Sequence, residues 1–338
     1  MTTVRAWASP ASGRPLIPFE YDAGALSPDE VEVAVEYCGL CHSDISAISA
    51  ERYNPSYPCV PGHEIVGRVV AIGEHVKNRM VGQRVGIGWN AKSCLHCAPC
   101  VAGDQNLCAE VVRTIIGHYG GFAERVRAQW IWTFPLPETL DASAASPLMC
   151  AGLTVFSSFL VNNLKPTDHI GVFGVGGLGH LAIKFAKAWG CEITAFTSSQ
   201  SKAKDSNEFG ADHVVLNKGI ESIKALPKKL DFLLVTSTAH LDWSALIGTL
   251  KSKGRLEIVG YADNPLTITA SELIAGSRNV GGLSTGMPSN MSKMLEFSAR
   301  HGITPKVEHI PMSRVNYAIS SMKANKPRYR LILDADFK

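Results

Sequence analysis

Four cysteines crowd one short stretch, Cys94-Leu95-His96-Cys97-Ala98-Pro99-Cys100 and then Cys108. Four thiolates at such spacing can surround one zinc tetrahedrally, about 2.3 Å from each sulfur. With all four positions filled, neither water nor substrate can enter, so the predicted ion is structural and pins a loop. Disulfides, free thiols and an iron–sulfur cluster are the rival uses of such a set. No other redox-cluster signal accompanies it, and zinc is the reading we adopt. His96 is not needed as a ligand and is expected at the surface.

A second set is scattered. Cys41 lies in Cys41-His42-Ser43-Asp44, His63 in Gly62-His63-Glu64, and Cys150 far beyond. A Cys/His/Cys set leaves one coordination position open, as a catalytic zinc requires. No short motif joins the three, and each taken alone reads better as a core cysteine or a satisfied loop histidine.

A third constellation is Gly174-Val175-Gly176-Gly177-Leu178-Gly179. It follows an apolar run and opens a helical pattern, the context in which a glycine-rich turn carries a dinucleotide pyrophosphate at a helix N-terminus. About 20 residues on, an NAD site places an acid against the ribose 2′-hydroxyl. Here the chain reads Phe196-Thr197-Ser198-Ser199-Gln200-Ser201-Lys202. Ser198, Ser199 and Lys202 can bond and neutralise a 2′-phosphate, which favours NADP(H) over NAD(H). Ser199 or Ser201 can also cap the helix that follows, and the two uses are compatible.

Elements of two kinds must position these groups. Val31, Val33 and Val35 alternate with Glu32, Ala34 and Glu36, the period of a half-buried strand. Residues 65–72 and 84–87 predict further strands in a mainly β segment. From about Asp168 strands and helices alternate: strands at 170–173, 193–196, 214–216, 232–236 and 256–259, and a helix at 178–189 ending at Gly190. Such alternation implies a parallel sheet covered on both faces. A helix at 291–301 and a strand at 330–334 complete the chain.

The bulk properties agree with two globular domains in 338 residues: 46% hydrophobic, 19% charged, net charge +3. No basic run suggests nucleic acid, no apolar run approaches a membrane span, and residues 1–10 lack the pattern of a secretion signal. A cytoplasmic protein without nucleic-acid or membrane partners is expected. The nine cysteines, an odd number in such a chain, fit metal binding better than disulfides.

Taken together, Gly62-His63-Glu64-Ile65-Val66-Gly67-Arg68-Val69-Val70, the four-cysteine loop, Gly120-Gly121-Phe122-Ala123-Glu124 and the glycine turn stand in a familiar order. Over essentially its whole length the chain resembles the zinc-containing medium-chain alcohol dehydrogenases, in the cinnamyl alcohol dehydrogenase branch. Val85-Gly86-Ile87-Gly88-Trp89 and Pro327-Arg328-Tyr329-Arg330 draw it toward the bacterial NADPH-dependent broad-specificity aldehyde reductases of that branch.

The resemblance implies an α/β protein: a GroES-like, mainly β catalytic domain from residues 1–150 and 285–338, with a doubly wound Rossmann domain at 151–284. It implies Cys41, His63 and Cys150 as catalytic zinc ligands, besides the structural zinc on Cys94, Cys97, Cys100 and Cys108, two ions per chain. It implies Glu64 as an acid near the metal, Asp44 as the carboxylate orienting the ligand histidine, and Ser43 as the hydroxyl serving the substrate oxygen. Thr154, Val235, Val259 and Arg330 match positions around the cofactor, and Trp89 and Asn90 fall where the family places its pocket. A homodimer paired through the cofactor domains is implied, with small aldehydes and alcohols as partners. Many members carry a proton-relaying histidine where this chain has Ser46, which leaves the final proton carrier open. An NAD-dependent alcohol oxidiser, or a non-enzymatic zinc- and dinucleotide-binding protein, are the alternative readings.

Overall fold

The valine alternation builds the long strand Glu30–Leu40, and the rest of the first β system assembles around it. The computed structural model describes residues 3–217, 219–224, 229–261 and 264–337. The chain forms two compact units, Met1–Leu153 with Thr285–Lys338, and Thr154–Ser284. The second begins inside the helix Ala151–Val161, a little later than the expected residue 151.

In the first unit a seven-stranded sheet runs Val307–Pro311, Arg330–Asp334, Glu30–Leu40, Glu64–Ile72, Arg84–Ile87, Thr133–Pro135, and Arg125–Gln129 also pairs with Glu30–Leu40. Val31 and Val33 are fully buried, as the alternation predicts. Glu32, expected on the solvent side, is buried too. Arg127 and Arg125 from the neighbouring strand close over its carboxylate at 2.8 and 3.0 Å and supply the opposite charges that a buried acid needs.

Register fixes which strand ends meet. Gly39 stands opposite Glu64, and Leu40 opposite Leu331. Residues just past one end of this sheet, Cys41 and His63, are thereby brought beside Arg330 on the third strand. A slip of one residue would turn every side chain to the other face, so burial of this sheet also sets the site.

The second unit is a six-stranded parallel sheet in the order His213–Leu216, Glu192–Thr197, His169–Phe173, Leu230–Val235, Leu250–Ile258, Asn279–Gly282. Numbered along the chain this is 3-2-1-4-5-6, the doubly wound order whose switch point lies beside the first strand. His169–Phe173 is buried at every position, as a strand covered on both faces must be. Phe173, Phe196, Leu233, Leu246 and Leu256 share its core, each contributing about 1.5–3 kcal/mol by burial. The helix Gly179–Trp189 ends where expected, at Gly190 in the left-handed conformation. No single described helix is long and apolar enough to cross a membrane.

Candidate metal and cofactor sites

Cys41 caps the short helix His42–Ile48, and Asp44 in its first turn reaches back to accept the Cys41 amide at 2.9 Å. The other Asp44 oxygen accepts from Gly62 N at 2.9 Å and bonds His63 Nδ1 at 2.7 Å. Asp44 and His63 are both fully buried. Burial disfavours charge on His63, but the Asp44 carboxylate outweighs it and holds the imidazole well above its ordinary range.

With Nδ1 taken by Asp44, His63 Nε2 points inward, buried and without a hydrogen-bond partner. Its surroundings are the Cys41 and Cys150 sulfurs and a Glu64 oxygen, all within 4.8 Å of one another. An orphaned ring nitrogen facing two thiols is a costly arrangement unless a cation completes it. The donors suit zinc: two sulfurs and one nitrogen, with the second ring nitrogen held by a carboxylate. The Cys41 thiol is lowered well below its usual range, first by its contact with Cys150 and also by His63.

Glu64 is fully buried, and its carboxylate pairs with the Arg330 guanidinium. Burial pushes the Glu64 carboxyl up, to about 7, against the pull of Arg330. Arg330, expected around the cofactor, thus lies beside Glu64 in the first unit. Gly39 makes room for this pair, because a Cβ there would stand 2.1 Å from Glu64 Oε2. Trp89 packs against the edge of His63, ring centroids 4.9 Å apart, and Tyr53 leans on Trp89 at 5.2 Å. Asn90 is buried beside it in the chain. Ser43 is half-buried and His42 exposed on the same short helix, whereas Ser46 is buried.

The four-cysteine loop brings its sulfurs within 4.8 Å of one another. Cys94 and Cys108 are 3.6 Å apart, Cys94 and Cys100 3.9 Å. Four ligands at about 2.3 Å from a zinc stand about 3.8 Å from each other, so these two separations fit the edges of a zinc tetrahedron and are far longer than an S–S bond. The Cys97 amide points at Cys94 Sγ at 3.3 Å, and the Cys94 amide at Cys108 Sγ at 3.5 Å. The His96 amide leads in lowering the Cys94 thiol to about 6. His96 is exposed, as expected of a non-ligand; its ring lies near Cys94 and Glu110.

In the second unit the glycine turn follows the buried strand His169–Phe173 at the switch point. Gly174 has φ +97°, open to glycine at no cost. Gly179 opens the helix so close to the strand end that a Cβ would stand 1.9 Å from the Gly174 carbonyl oxygen. A Cβ on Gly176 meets nothing within 4 Å, which leaves the turn open for the close approach that a pyrophosphate would make. Gly177 and Leu178 complete the turn, Leu178 as the helix cap. Val235 and Val259 lie side by side at the carboxyl ends of adjacent strands, Val259 N bonding the Val235 carbonyl at 3.0 Å. Thr154 is buried on the helix Ala151–Val161.

Ser199 caps the helix Gln200–Phe209, its hydroxyl accepting from Lys202 N at 3.5 Å and meeting Ser201 Oγ at 2.8 Å. Ser198 is exposed beside it. No acid occupies this strand end, where an NAD site would carry one.

Three contributors escaped sequence reasoning. Thr236 Oγ1 braces the turn through the Gly174 carbonyl at 2.7 Å; a threonine at a strand end carries no signal. Tyr53 sits in a loop without pattern. Gly39 was hidden in a strand whose need for a missing Cβ depends on a partner 25 residues away.

The chain matches two family models: the alcohol dehydrogenase GroES-like domain over residues 27–138 and the zinc-binding dehydrogenase over residues 177–300. It is 44% identical to the aldehyde reductase AdhA of Synechocystis sp., over 98% of both chains. Among solved structures it resembles a cinnamyl alcohol dehydrogenase from Sorghum bicolor (TM-score 0.94, 34% identity, 98% of both chains). It also resembles a cinnamyl alcohol dehydrogenase from Helicobacter pylori complexed with NADP(H) (TM-score 0.91, 27% identity, 98% of both chains).

Proposed function

The chain belongs to the zinc-binding alcohol dehydrogenases of the medium-chain family, and on that premise we propose that it reduces aldehydes to primary alcohols, reversibly, with NADPH. The observation that carries this reading is the buried His63 Nε2, unpartnered and facing the Cys41 and Cys150 sulfurs. We assign one zinc to these three residues and a second, structural one to Cys94, Cys97, Cys100 and Cys108. Zinc at the first site supplies a Lewis acid that polarises a carbonyl, and the nicotinamide supplies the hydride.

The chain's own residues do the rest. Asp44 fixes the His63 tautomer with a proton on Nδ1, leaving Nε2 free to ligate. Glu64, held by Arg330, waits as a buried carboxyl beside the ligands while substrate and water exchange. Trp89 and Tyr53 form an aromatic wall against His63 that suits apolar aldehydes of differing shape, hence broad aliphatic and aromatic specificity. Ser43 Oγ passes a proton to the substrate oxygen as the carbonyl becomes an alcohol. Ser46 is largely buried, so half-buried Ser43 is the better placed of the two hydroxyls to meet solvent.

The preference for NADPH rests on Ser198, Ser199 and Lys202, where no carboxylate would repel a 2′-phosphate. The Helicobacter pylori relative, complexed with NADP(H), supports it. Among the described residues the strand Asn279–Gly282 is the last of its sheet, and we place the homodimer contact at that edge.

Initial rates on a panel of small aldehydes, with NADPH and NADH compared and zinc measured on the same sample, test the reading. Two zinc ions per chain and a strong NADPH preference are expected. Activity with NADH alone refutes the cofactor assignment. No activity with any aldehyde, together with fewer than two zinc ions, refutes the enzyme.

A further inference from the structure

Three adjacent strands of the second unit begin with chemistry that neither the cofactor nor the reaction uses. His169 and Glu192 open neighbouring strands and stand opposite each other in register. His213 opens the edge strand opposite Thr194, two residues beyond Glu192 and so on the same face. One face therefore carries two imidazoles and a carboxylate side by side, at the amino ends of the strands. The glycine turn lies at the carboxyl ends.

Their ligating atoms all lie within 4.8 Å of one another. His213 Nε2 is 2.8 Å from Glu192 Oε1, and His169 Nδ1 is 3.6 Å from Glu192 Oε2. Two ligands each about 2.1 Å from a zinc stand about 3.0–3.4 Å apart; the hydrogen-bonded His213–Glu192 pair is closer and the His169–Glu192 pair wider, so each needs a shift of only a few tenths of an ångström to take an ion. The 3.6 Å gap is too long for a hydrogen bond. His169 Nε2 is held by Thr194 Oγ1 at 2.7 Å, which aims Nδ1 at the carboxylate and fixes the ring as a ligand's outer partner does.

The neighbouring carboxylates are committed elsewhere: Asp212 to Lys187 and the Ile193 amide, Asp231 to Lys251 and the His169 amide. Glu192 alone is shared between the two rings. His169 is nearly buried, while Glu192 and His213 are about half exposed, so the group is rigid at its base and open to solvent.

We infer that His169, Glu192 and His213 form a further divalent-metal site, of the imidazole-preferring class that takes zinc, outside the catalytic and four-cysteine centres. Two nitrogens and one carboxylate leave at least one position for water or a donor from another molecule. An ion there would join the edge strand to the two strands beside it without touching the cofactor end of the sheet.

Zinc chloride titrated calorimetrically into the purified zinc-loaded enzyme tests this, with His213→Ala and Glu192→Gln titrated alongside. Both substitutions fall on half-exposed side chains at the amino ends of their strands, away from the glycine turn at the carboxyl ends, and unchanged aldehyde reduction before titration confirms intact protein. The wild type should bind one further equivalent that both variants lose. Cobalt added to the zinc-loaded wild type should give visible bands of nitrogen and oxygen ligation without thiolate charge transfer. Uptake of no further equivalent, or equal uptake by wild type and variants, overturns the site.

Discussion

Replacing Asp44 by Asn should weaken the hold on the catalytic metal while leaving the shape of the site almost unchanged. The carboxylate accepts three hydrogen bonds, two on Oδ1 from Gly62 N and His63 Nδ1 and one on Oδ2 from Cys41 N. All three partners are donors, and an amide has only one oxygen. Keeping that oxygen on the Gly62 and His63 side turns the amide nitrogen onto the Cys41 N–H. One bond to a charged acceptor, about 1.5–3 kcal/mol, is then lost, and a buried donor faces another donor. The imidazole also loses the anion that raises its basicity, which for such outer partners lowers metal affinity about 10–100-fold. Competition for zinc against a chromophoric chelator measures the second effect, and the urea midpoint measures the first. If Asp44→Asn keeps its zinc as the wild type does and unfolds at the same urea concentration, Asp44 is not what orients His63.

Ser199→Asp keeps a competent helix cap but sets a carboxylate where the 2′-phosphate is expected; KM for NADPH should rise at least about tenfold, roughly 1.4 kcal/mol, with KM for NADH unchanged or lower. Gly176→Ala should leave the melting temperature alone, since its Cβ meets no protein atom, yet weaken cofactor binding in a fluorescence titration. Gly179→Ala should lower the melting temperature as well as weaken cofactor binding, because its Cβ would press on the Gly174 carbonyl at 1.9 Å, costing about 1–3 kcal/mol by overpacking. Cys100→Ser should remove one zinc equivalent by metal analysis and lower the unfolding temperature, with the zinc at Cys41, His63 and Cys150 retained. Loss of both equivalents would show that the two centres are not independent.

Local patterns made the second unit nearly transparent. The strand His169–Phe173 and the helix ending at Gly190 stand within a residue of where periodicity puts them, and the glycine turn has its required context. The four-cysteine loop was equally legible, since its ligands are neighbours in the chain and need only a tight turn to meet. Cys41, His63 and Cys150 were not legible as a set from spacing. Their meeting depends on strand register, which is a property of pairing across long loops. Glu32 was misplaced for a related reason: alternation says which face a residue takes, but not that two arginines from another strand will cover that face. The Glu64–Arg330 pair was invisible because 266 residues separate its members.

The same register explains why a site so dispersed can be rigid. Glu64 opposite Gly39 and Leu331 opposite Leu40 are pairings inside one buried sheet, so the groups next to them inherit the sheet's stability. Cys41 follows Leu40 directly, His63 precedes Glu64 directly, and Arg330 precedes Leu331. None of the three can move far unless backbone hydrogen bonds of a central strand break. Asp44 then ties Cys41 to Gly62 and His63 by side-chain bonds that close the gap between two strand ends. Gly39 is the cost of this economy: the strand must omit a side chain there so that the Glu64 carboxylate can lie against it and reach Arg330. A buried acid, a buried guanidinium and an unpartnered imidazole nitrogen within one such frame would be hard to retain for stability alone. They suit the fixed metal centre, with one position open to substrate, that we propose there.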